Sequence, residues 1–276
     1  MTLPLSADQI SVHYGGVKAL NGMTLHVDDG EIVGLIGGNG AGKTTFMDCV
    51  SGYAAPEPGG SITAFGSEIG GLAPELRPYL GIVRSFQHAT LYPELDVDEA
   101  LLVAVERHRP SGLFASLFAT RSARTAETEK REWVDELVGS LGLEPYRSKR
   151  IRHLSTGTRR VVDLATTIAG RPKLILFDEP TTGLAQRETE AFGPLLRWVR
   201  ERLDCSILII EHDMPLITSV ADRLYALEAG TVIAEGRPDD VVRDPRVVAS
   251  YLGLQEAAIR RSGRTAKRAT RAAARR

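Results

Sequence analysis

Cysteine is nearly absent: the 276-residue chain holds two, Cys49 and Cys205. They lie far apart and outside any metal-ligand spacing. This excludes a disulfide-stapled fold and a cysteine zinc site, and it reads as two reduced thiols in a cytosolic chain. Long apolar runs are missing too. Runs such as residues 174–177 and 207–210 have strand length, and none approaches the ~20 residues that a membrane span needs. The first residues, MTLPLSADQI, have no basic start and no apolar stretch, so no secretory signal is expected. A large net charge is also missing, at −1, but the balance is uneven. From Arg260 onward there are eight basic residues and no acidic one, which leaves 26 basic against 35 acidic before it. An acidic body with a short basic tail is not the footprint of a nucleic-acid-binding domain, so no nucleic-acid partner is expected. What is present, 43% hydrophobic and 25% charged residues, matches an ordinary globular protein and excludes disorder and coiled coil for most of the chain. The length suits one or two domains with a sizeable core.

Strand-like apolar runs punctuated by glycine dominate residues 1–86. Residues 31–37, EIVGLIG, read as a buried strand that runs into GGNGAGKTT and then into the apolar-periodic FMDCVSGY: strand, glycine loop, helix. Residues 90–155 carry longer helical patterns, VDEALLVAVERH and AETEKREWVDELVGSLGL, with polar sequence between them. Asp96 and Asp98 stand where they could cap the first of these helices. From Arg171 the strand signal returns. KLILFDE and CSILIIEH flank the amphipathic ETEAFGPLLRWVRERL, a β-α-β unit that requires parallel strands and a right-handed crossover. RLYALEAGTVIAEG reads as a hairpin turning at Ala229 and Gly230. No internal repeat is visible. The Arg/Ala-rich end lacks an apolar stripe and is expected to be disordered.

Gly37-Gly38-Asn39-Gly40-Ala41-Gly42-Lys43-Thr44 satisfies G-x-x-x-x-G-K-[ST] at every fixed position, and Thr45 follows. Glycines let backbone N–H groups converge on phosphate oxygens, and the helix that starts there points its positive end at the anion. Lys43 is placed for the β- and γ-phosphates, and the Thr44 hydroxyl for Mg²⁺. Residues 174–180, LILFDEP, are four apolar residues ending in two acids. Read alone, they are equally ordinary turn chemistry. After a phosphate loop, such a strand is expected to lie beside the loop strand and deliver Asp178 to the metal, while Glu179 polarises an attacking water.

Leu154-Ser155-Thr156-Gly157-Thr158 precedes the apolar-periodic RRVVDLATTIA. Ser-x-Gly before a helix is, by itself, an N-cap. Its position after Lys43 and before Glu179, however, resembles the ATP-binding cassette (ABC) ATPases, whose signature motif reads LSGGQ. Here Thr156 replaces the first glycine and Thr158 the glutamine, while Ser155 and Gly157 are kept. Further pieces follow in family order: Tyr14 in VHYGGVKAL, Gln87 in RSFQHATLYPELDV and His212 in LIIEHDM. The resemblance covers roughly residues 7–255 and implies an α/β P-loop core with an antiparallel β-subdomain and a helical subdomain at about 90–155. The ABC ATPase domain would thus span 1–255, ahead of a basic tail at 256–276. It also implies that Tyr14 stacks on adenine, that Gln87 serves the metal and the attacking water, and that His212 is the switch histidine. Ser155 and Gly157 would touch the γ-phosphate held by a second chain. One residue departs: where the family usually has aspartate or asparagine after Gly-Leu, this chain has Ala185, which puts a polar contact across the dimer interface in doubt.

Softer sequence narrows the subgroup. GGVKALNGMTLHVDDGEIVGLIGGNGAGKTT, VRSFQHATLYPELDVDEALLVA and GRPDDVVRDPRVVASYLG look like the ATPase subunits of branched-chain amino-acid importers. Lipopolysaccharide-export ATPases share much of this pattern. The resemblance implies ATP and Mg²⁺ as ligands, two separate permease subunits, and a second copy or a paralogous ATPase as partner. An extracytoplasmic binding protein would be an indirect partner, and the chain would sit on the cytoplasmic face of the plasma membrane. Soluble ABC proteins acting on ribosomes or DNA carry two cassettes or long coiled coils, which this chain does not. A non-hydrolysing regulatory cassette is disfavoured by the intact Lys43, Glu179 and His212.

Overall fold

Every strand among the described residues falls into one of two sheets. The structure is a computed structural model that describes residues 2–85, 91–108 and 121–251. The smaller sheet is antiparallel, in the order β2 (Val17–Val27), β1 (Leu5–Tyr14), β4 (Ser61–Ala64), β5 (Ser67–Glu68). The larger sheet has six strands in the order β10 (Thr231–Gly236), β9 (Arg223–Glu228), β3 (Ile32–Gly37), β8 (Ser206–Ile210), β7 (Leu174–Asp178), β6 (Ile82–Ser85). All neighbouring pairs in it are parallel except β10 with β9. Those two form the expected hairpin, and its turn residues Ala229 and Gly230 both take positive φ, as a tight two-residue hairpin demands.

The central strands are buried on both faces because each face is covered. Ile32, Ile36, Ile175, Phe177, Ile207, Ile209 and Leu224 face one core. Their alternates Val33, Leu35, Leu174, Leu176, Leu208, Ile210 and Tyr225 face the other. The first core is closed by α2 (Val97–His108), α3 (Arg121–Ser140), α4 (Thr156–Ala169) and α5 (Gln186–Leu203), together with Leu216, Ile217 and Val220 of the short helix Met214–Val220. The second is closed by α1 (Lys43–Ser51) through Phe46, Met47 and Val50, and by Leu5, Ile10, Leu20 and Met23 of the small sheet. Each fully buried side chain of this size is worth about 1.5–3 kcal/mol. Cys49 and Cys205 are buried and unpaired, and burial pushes both thiols up to about 12.

One expectation is overturned. β7 does not lie beside β3: β8 stands between them, with Ile210 registered against both Leu35 and Asp178. The right-handed crossover through α5 carries the chain to the β3 side of β7. Ser206 anchors β8 there, accepting from Gly30 N–H (3.0 Å) and donating to the Asp28 carbonyl (3.1 Å).

The two candidate caps of α2 also separate. Asp96 Oδ1 accepts the Glu99 N–H (2.8 Å) and Glu99 Oε2 accepts the Asp96 N–H (2.9 Å), a reciprocal capping box. Asp98 instead pairs with Arg147 Nε at 2.9 Å. α3 is tied to the rest by Trp133, whose indole N–H donates to the Ala169 carbonyl (2.9 Å) while Arg171 and Arg202 stand over its ring. Asp163 of α4 receives a long hydrogen bond from Ser85, at 3.4 Å, at the end of β6.

Burial pushes the Asp163 carboxyl up to about 6, against the smaller opposing effects of Arg160 and Ser85. A carboxyl whose folded pKa stands above its unfolded value takes up its proton first in the native state, so it favours folding increasingly as pH falls toward 4. Asp163→Asn is therefore expected to stabilise the protein at pH 7.5 by about 1–3 kcal/mol, and this advantage should vanish by pH 4. Urea denaturation of both proteins across this range measures the difference; a pH-independent difference would contradict the assignment.

Candidate functional site

The parallel strands β3, β7 and β8 end at one edge of the large sheet, and the sequence motifs meet there. β3 runs into the glycine loop at Gly37, and α1 starts at Lys43. The loop is wedged against neighbouring backbone. A Cβ on Gly37 would stand 2.3 Å from the Leu227 carbonyl oxygen, and one on Gly42, at φ +106°, would stand 2.4 Å from that of Ala19. Only glycine fits either position. The Gly37 N–H donates to the Tyr251 hydroxyl (3.0 Å), and the Gly230 N–H donates to the Ala41 carbonyl (2.9 Å), so the hairpin turn and the C-terminal segment brace the loop. Asn39, Gly40 and Thr44 are exposed, Gly38 and Thr45 half-buried.

Lys43 is 6% exposed, and its ammonium group donates to the carbonyls of Gly37 (2.8 Å) and Gly38 (3.1 Å). Burial lowers its pKa, while the carboxylates of Glu179 and Asp178 act in the opposite direction. The one cation of the loop thus stands in the field of both acids at the end of β7.

Those acids differ sharply in surroundings. Asp178 is buried, and its Oδ2 accepts from Arg84 Nη2 at 2.7 Å. Glu179 takes φ +51°, a left-handed conformation uncommon for a non-glycine residue. Its N–H donates to the Ile210 carbonyl (3.0 Å), which fixes the turn. Its side chain meets His212 Nε2 at 2.7 Å and receives the Thr182 hydroxyl at 3.2 Å. Because β8 is adjacent to β7, the residues that follow Ile210 are delivered directly beside Glu179.

Two contributors escaped the sequence reading. Glu211 is 2% exposed, and its carboxylate accepts the Thr181 N–H (3.0 Å), the Thr181 hydroxyl (2.5 Å) and the His212 N–H (2.9 Å). It locks the segment after Glu179 to the segment that carries His212. A charged residue directly after the apolar run 207–210 was the available signal. Arg84 is the second, an arginine inside the short strand β6, three residues before Gln87.

The remaining predicted residues fall in different places. Tyr14 ends β1 and is 54% exposed. Gln87 lies outside the described residues. Ser155 is the N-cap of α4, its hydroxyl accepting the Thr158 N–H at 3.1 Å. Gly157 is buried against Glu188: a Cβ there would fall 1.9 Å from Glu188 Oε1. Glu188 Oε2 in turn accepts the Ala185 N–H at 2.9 Å. Ser155, Gly157 and Ala185 therefore form a second group at the starts of α4 and α5. Among the described residues, Ser155 and Gly157 make no hydrogen bond to the phosphate loop.

The profile of the ABC transporter family matches residues 20–182, more than half of the chain. The chain belongs to the ABC transporter family. It is an ATP-binding cassette ATPase of α/β P-loop fold. A second profile, described as branched-chain amino acid ATP-binding cassette transporter, matches residues 231–257. The high-affinity branched-chain amino acid transport ATP-binding protein LivG of Salmonella typhimurium is 35% identical over 92% of this chain and 99% of its own length. The lipopolysaccharide export system ATP-binding protein LptB of Haemophilus influenzae is 32% identical over 91% of this chain and 98% of its own. A nucleotide-free ATP-binding cassette from an ABC transporter superposes with a TM-score of 0.75 at 28% identity, covering 91% of this chain and 99% of that one. No helix among the described residues is long and apolar enough to cross a membrane.

Ala185 occupies the N-cap of α5 in extended conformation (φ −72°, ψ 156°) without a side-chain cap. Ala185→Asp supplies that acceptor while Glu188 keeps its own bond, and is expected to stabilise the monomer by about 0.5–2 kcal/mol. Chemical denaturation checks this; unchanged or reduced stability would contradict the N-cap geometry.

Proposed function

We propose that this cassette is the ATP-hydrolysing subunit of an importer for branched-chain or other hydrophobic amino acids. The observation that carries the hydrolytic reading is the 2.7 Å contact between Glu179 and His212 beside the phosphate loop. The substrate class is supported by the likeness to LivG and by the second profile at residues 231–257. The likeness to LptB at 32% identity keeps a lipopolysaccharide-type exporter as the second reading. On either reading the chain sits on the cytoplasmic face of the membrane and works with two permease subunits and a second ATPase chain.

The site chemistry follows from the side chains. Lys43 exchanges the Gly37 and Gly38 carbonyls for β- and γ-phosphate oxygens, and the loop N–H groups complete the cradle. Tyr14, exposed at the end of β1, offers a face for adenine. The donor set suits Mg²⁺, an ion that is held by one or two carboxylates together with phosphates and waters. No cluster of three His, Cys, Asp or Glu side chains exists among the described residues, which argues against an all-protein metal cage. Thr44, Asp178 and Gln87 would hold the ion, which when bound neutralises phosphate charge. Glu179 accepts the proton of the attacking water, and His212 orients the Glu179 carboxylate. Ser155 and Gly157, at the start of the 14-residue helix α4, present a helix N-terminus to the γ-phosphate of a partner chain. Each site is then shared, so nucleotide closes the dimer and hydrolysis opens it.

Glu179→Gln keeps the side chain's shape and removes its basicity. ATP binding should persist while turnover falls by about 10²-fold or more. Equilibrium binding and steady-state phosphate release measure the two; near-wild-type turnover would refute the base assignment.

A further inference from the structure

Arg84 joins three elements that surround the phosphate site. It lies on β6, registered against Leu176 of β7. Nη1 donates to Asp48 Oδ1 at 2.6 Å and, more weakly, to Ser51 Oγ at 3.4 Å, both on α1. Nη2 donates to Asp178 Oδ2 at 2.7 Å. The Arg84 and Asp178 side chains are 7% and 10% exposed, so both charges are largely withdrawn from water. Removing one partner of such a pair leaves the other as an uncompensated buried charge. Asp48 lies four residues after Thr44, on the same face of α1. The planar guanidinium thus fixes the helix that carries Thr44 relative to the strand that carries Asp178, with two bonds of defined direction.

The electrostatic consequence is specific. Without nucleotide, Asp178 has two cations near it, Arg84 in contact with it and Lys43 within its field. A free divalent cation approaching Asp178 is repelled by both. A triphosphate reverses the sign, because its charges exceed those of the two cations. We propose that Arg84 is a resident counter-ion of Asp178. It holds Oδ2, leaves Oδ1 for the metal, and reserves the metal site for Mg²⁺ that binds together with nucleotide. Arg84 is then a positioning residue, acting through Asp178. The inference rests on the reading of Asp178 as a metal ligand.

The test compares full-length wild type, Arg84→Gln and Arg84→Lys by thermal melting with EDTA or with MgCl₂ alone. ATP affinity is then titrated with and without Mg²⁺. Wild type and Arg84→Lys should melt at the same temperature in EDTA and in Mg²⁺. Arg84→Gln should melt lower in EDTA and recover several degrees in Mg²⁺ without nucleotide. The factor by which Mg²⁺ strengthens ATP binding should fall about tenfold in Arg84→Gln, because metal now binds without nucleotide. If Arg84→Gln does not fold, the double variant Arg84→Gln/Asp48→Asn removes the second stranded carboxylate and carries the same comparison. A lower melting temperature with no response to Mg²⁺ and an unchanged coupling factor would overturn the proposal and leave Arg84 a structural clamp. Asp178→Asn in the wild-type background separates the two claims. It should abolish most of the Mg²⁺ effect on ATP affinity, and if it does not, the metal-ligand reading fails irrespective of Arg84.

Discussion

The position of β8 between β3 and β7 is the constraint from which the site follows. Parallel strands direct their carboxyl ends to one edge of a sheet, and the order of strands decides which loops become neighbours there. With Ile210 registered against both Leu35 and Asp178, the segment after β8 lies between the phosphate loop and the acids of β7. Glu211 then bonds backward to Thr181 and forward to the His212 N–H. His212 is left facing Glu179. Were β7 inserted between β3 and β8, the histidine would emerge on the far side of Asp178, away from the phosphate loop.

The edge is preloaded with charge. Lys43 is satisfied by carbonyls of its own loop, Asp178 by Arg84, and Glu179 by His212 and Thr182. On the proposed function, the bonds of Lys43 and of Glu179 give way to phosphate and water, whereas Arg84 stays on Asp178. Buried charges tolerate such an exchange only when a partner is always present, and the internal bonds supply that partner before ligand arrives. Glu179 also holds a left-handed backbone conformation, a cost of order 1–3 kcal/mol that persists only where the surroundings enforce it. Its bond to the Ile210 carbonyl and the buried Glu211 network on the following turn supply that enforcement.

The fold was legible wherever its cause is local. The phosphate loop, the β-α-β unit and the Ala229-Gly230 hairpin each follow from residue spacing within a short window, and each is found. Ser155 read as an N-cap and is one. The order of β7 and β8 was misjudged because adjacency in a parallel sheet depends on the crossover and on side-chain anchors such as Ser206, which no short window reveals. Arg84 and Glu211 were missed for the same reason. Their partners lie 36 and 94 residues away for Arg84 and 30 for Glu211, and a lone charge beside an apolar strand does not announce its counter-ion. Gln87 lies outside the described residues, so its role rests on the resemblance alone.

Ser155 is exposed at the N-cap of α4, and Gly157 is packed on Glu188 at the start of α5; among the described residues neither is hydrogen-bonded to the phosphate loop. That separation within one chain is what supports the proposal of a site shared between two. On that proposal helix α4 presents its N-terminus to a phosphate across an interface. The most direct test is to mix Ser155→Arg chains with Lys43→Ala chains, or the corresponding pair if the working complex contains a second ATPase, and to measure ATP hydrolysis. A shared site places both defects in one of the two sites of a mixed dimer and leaves the other intact, so activity should return although each variant alone is inactive. Mixed dimers that form and remain inactive would contradict the arrangement.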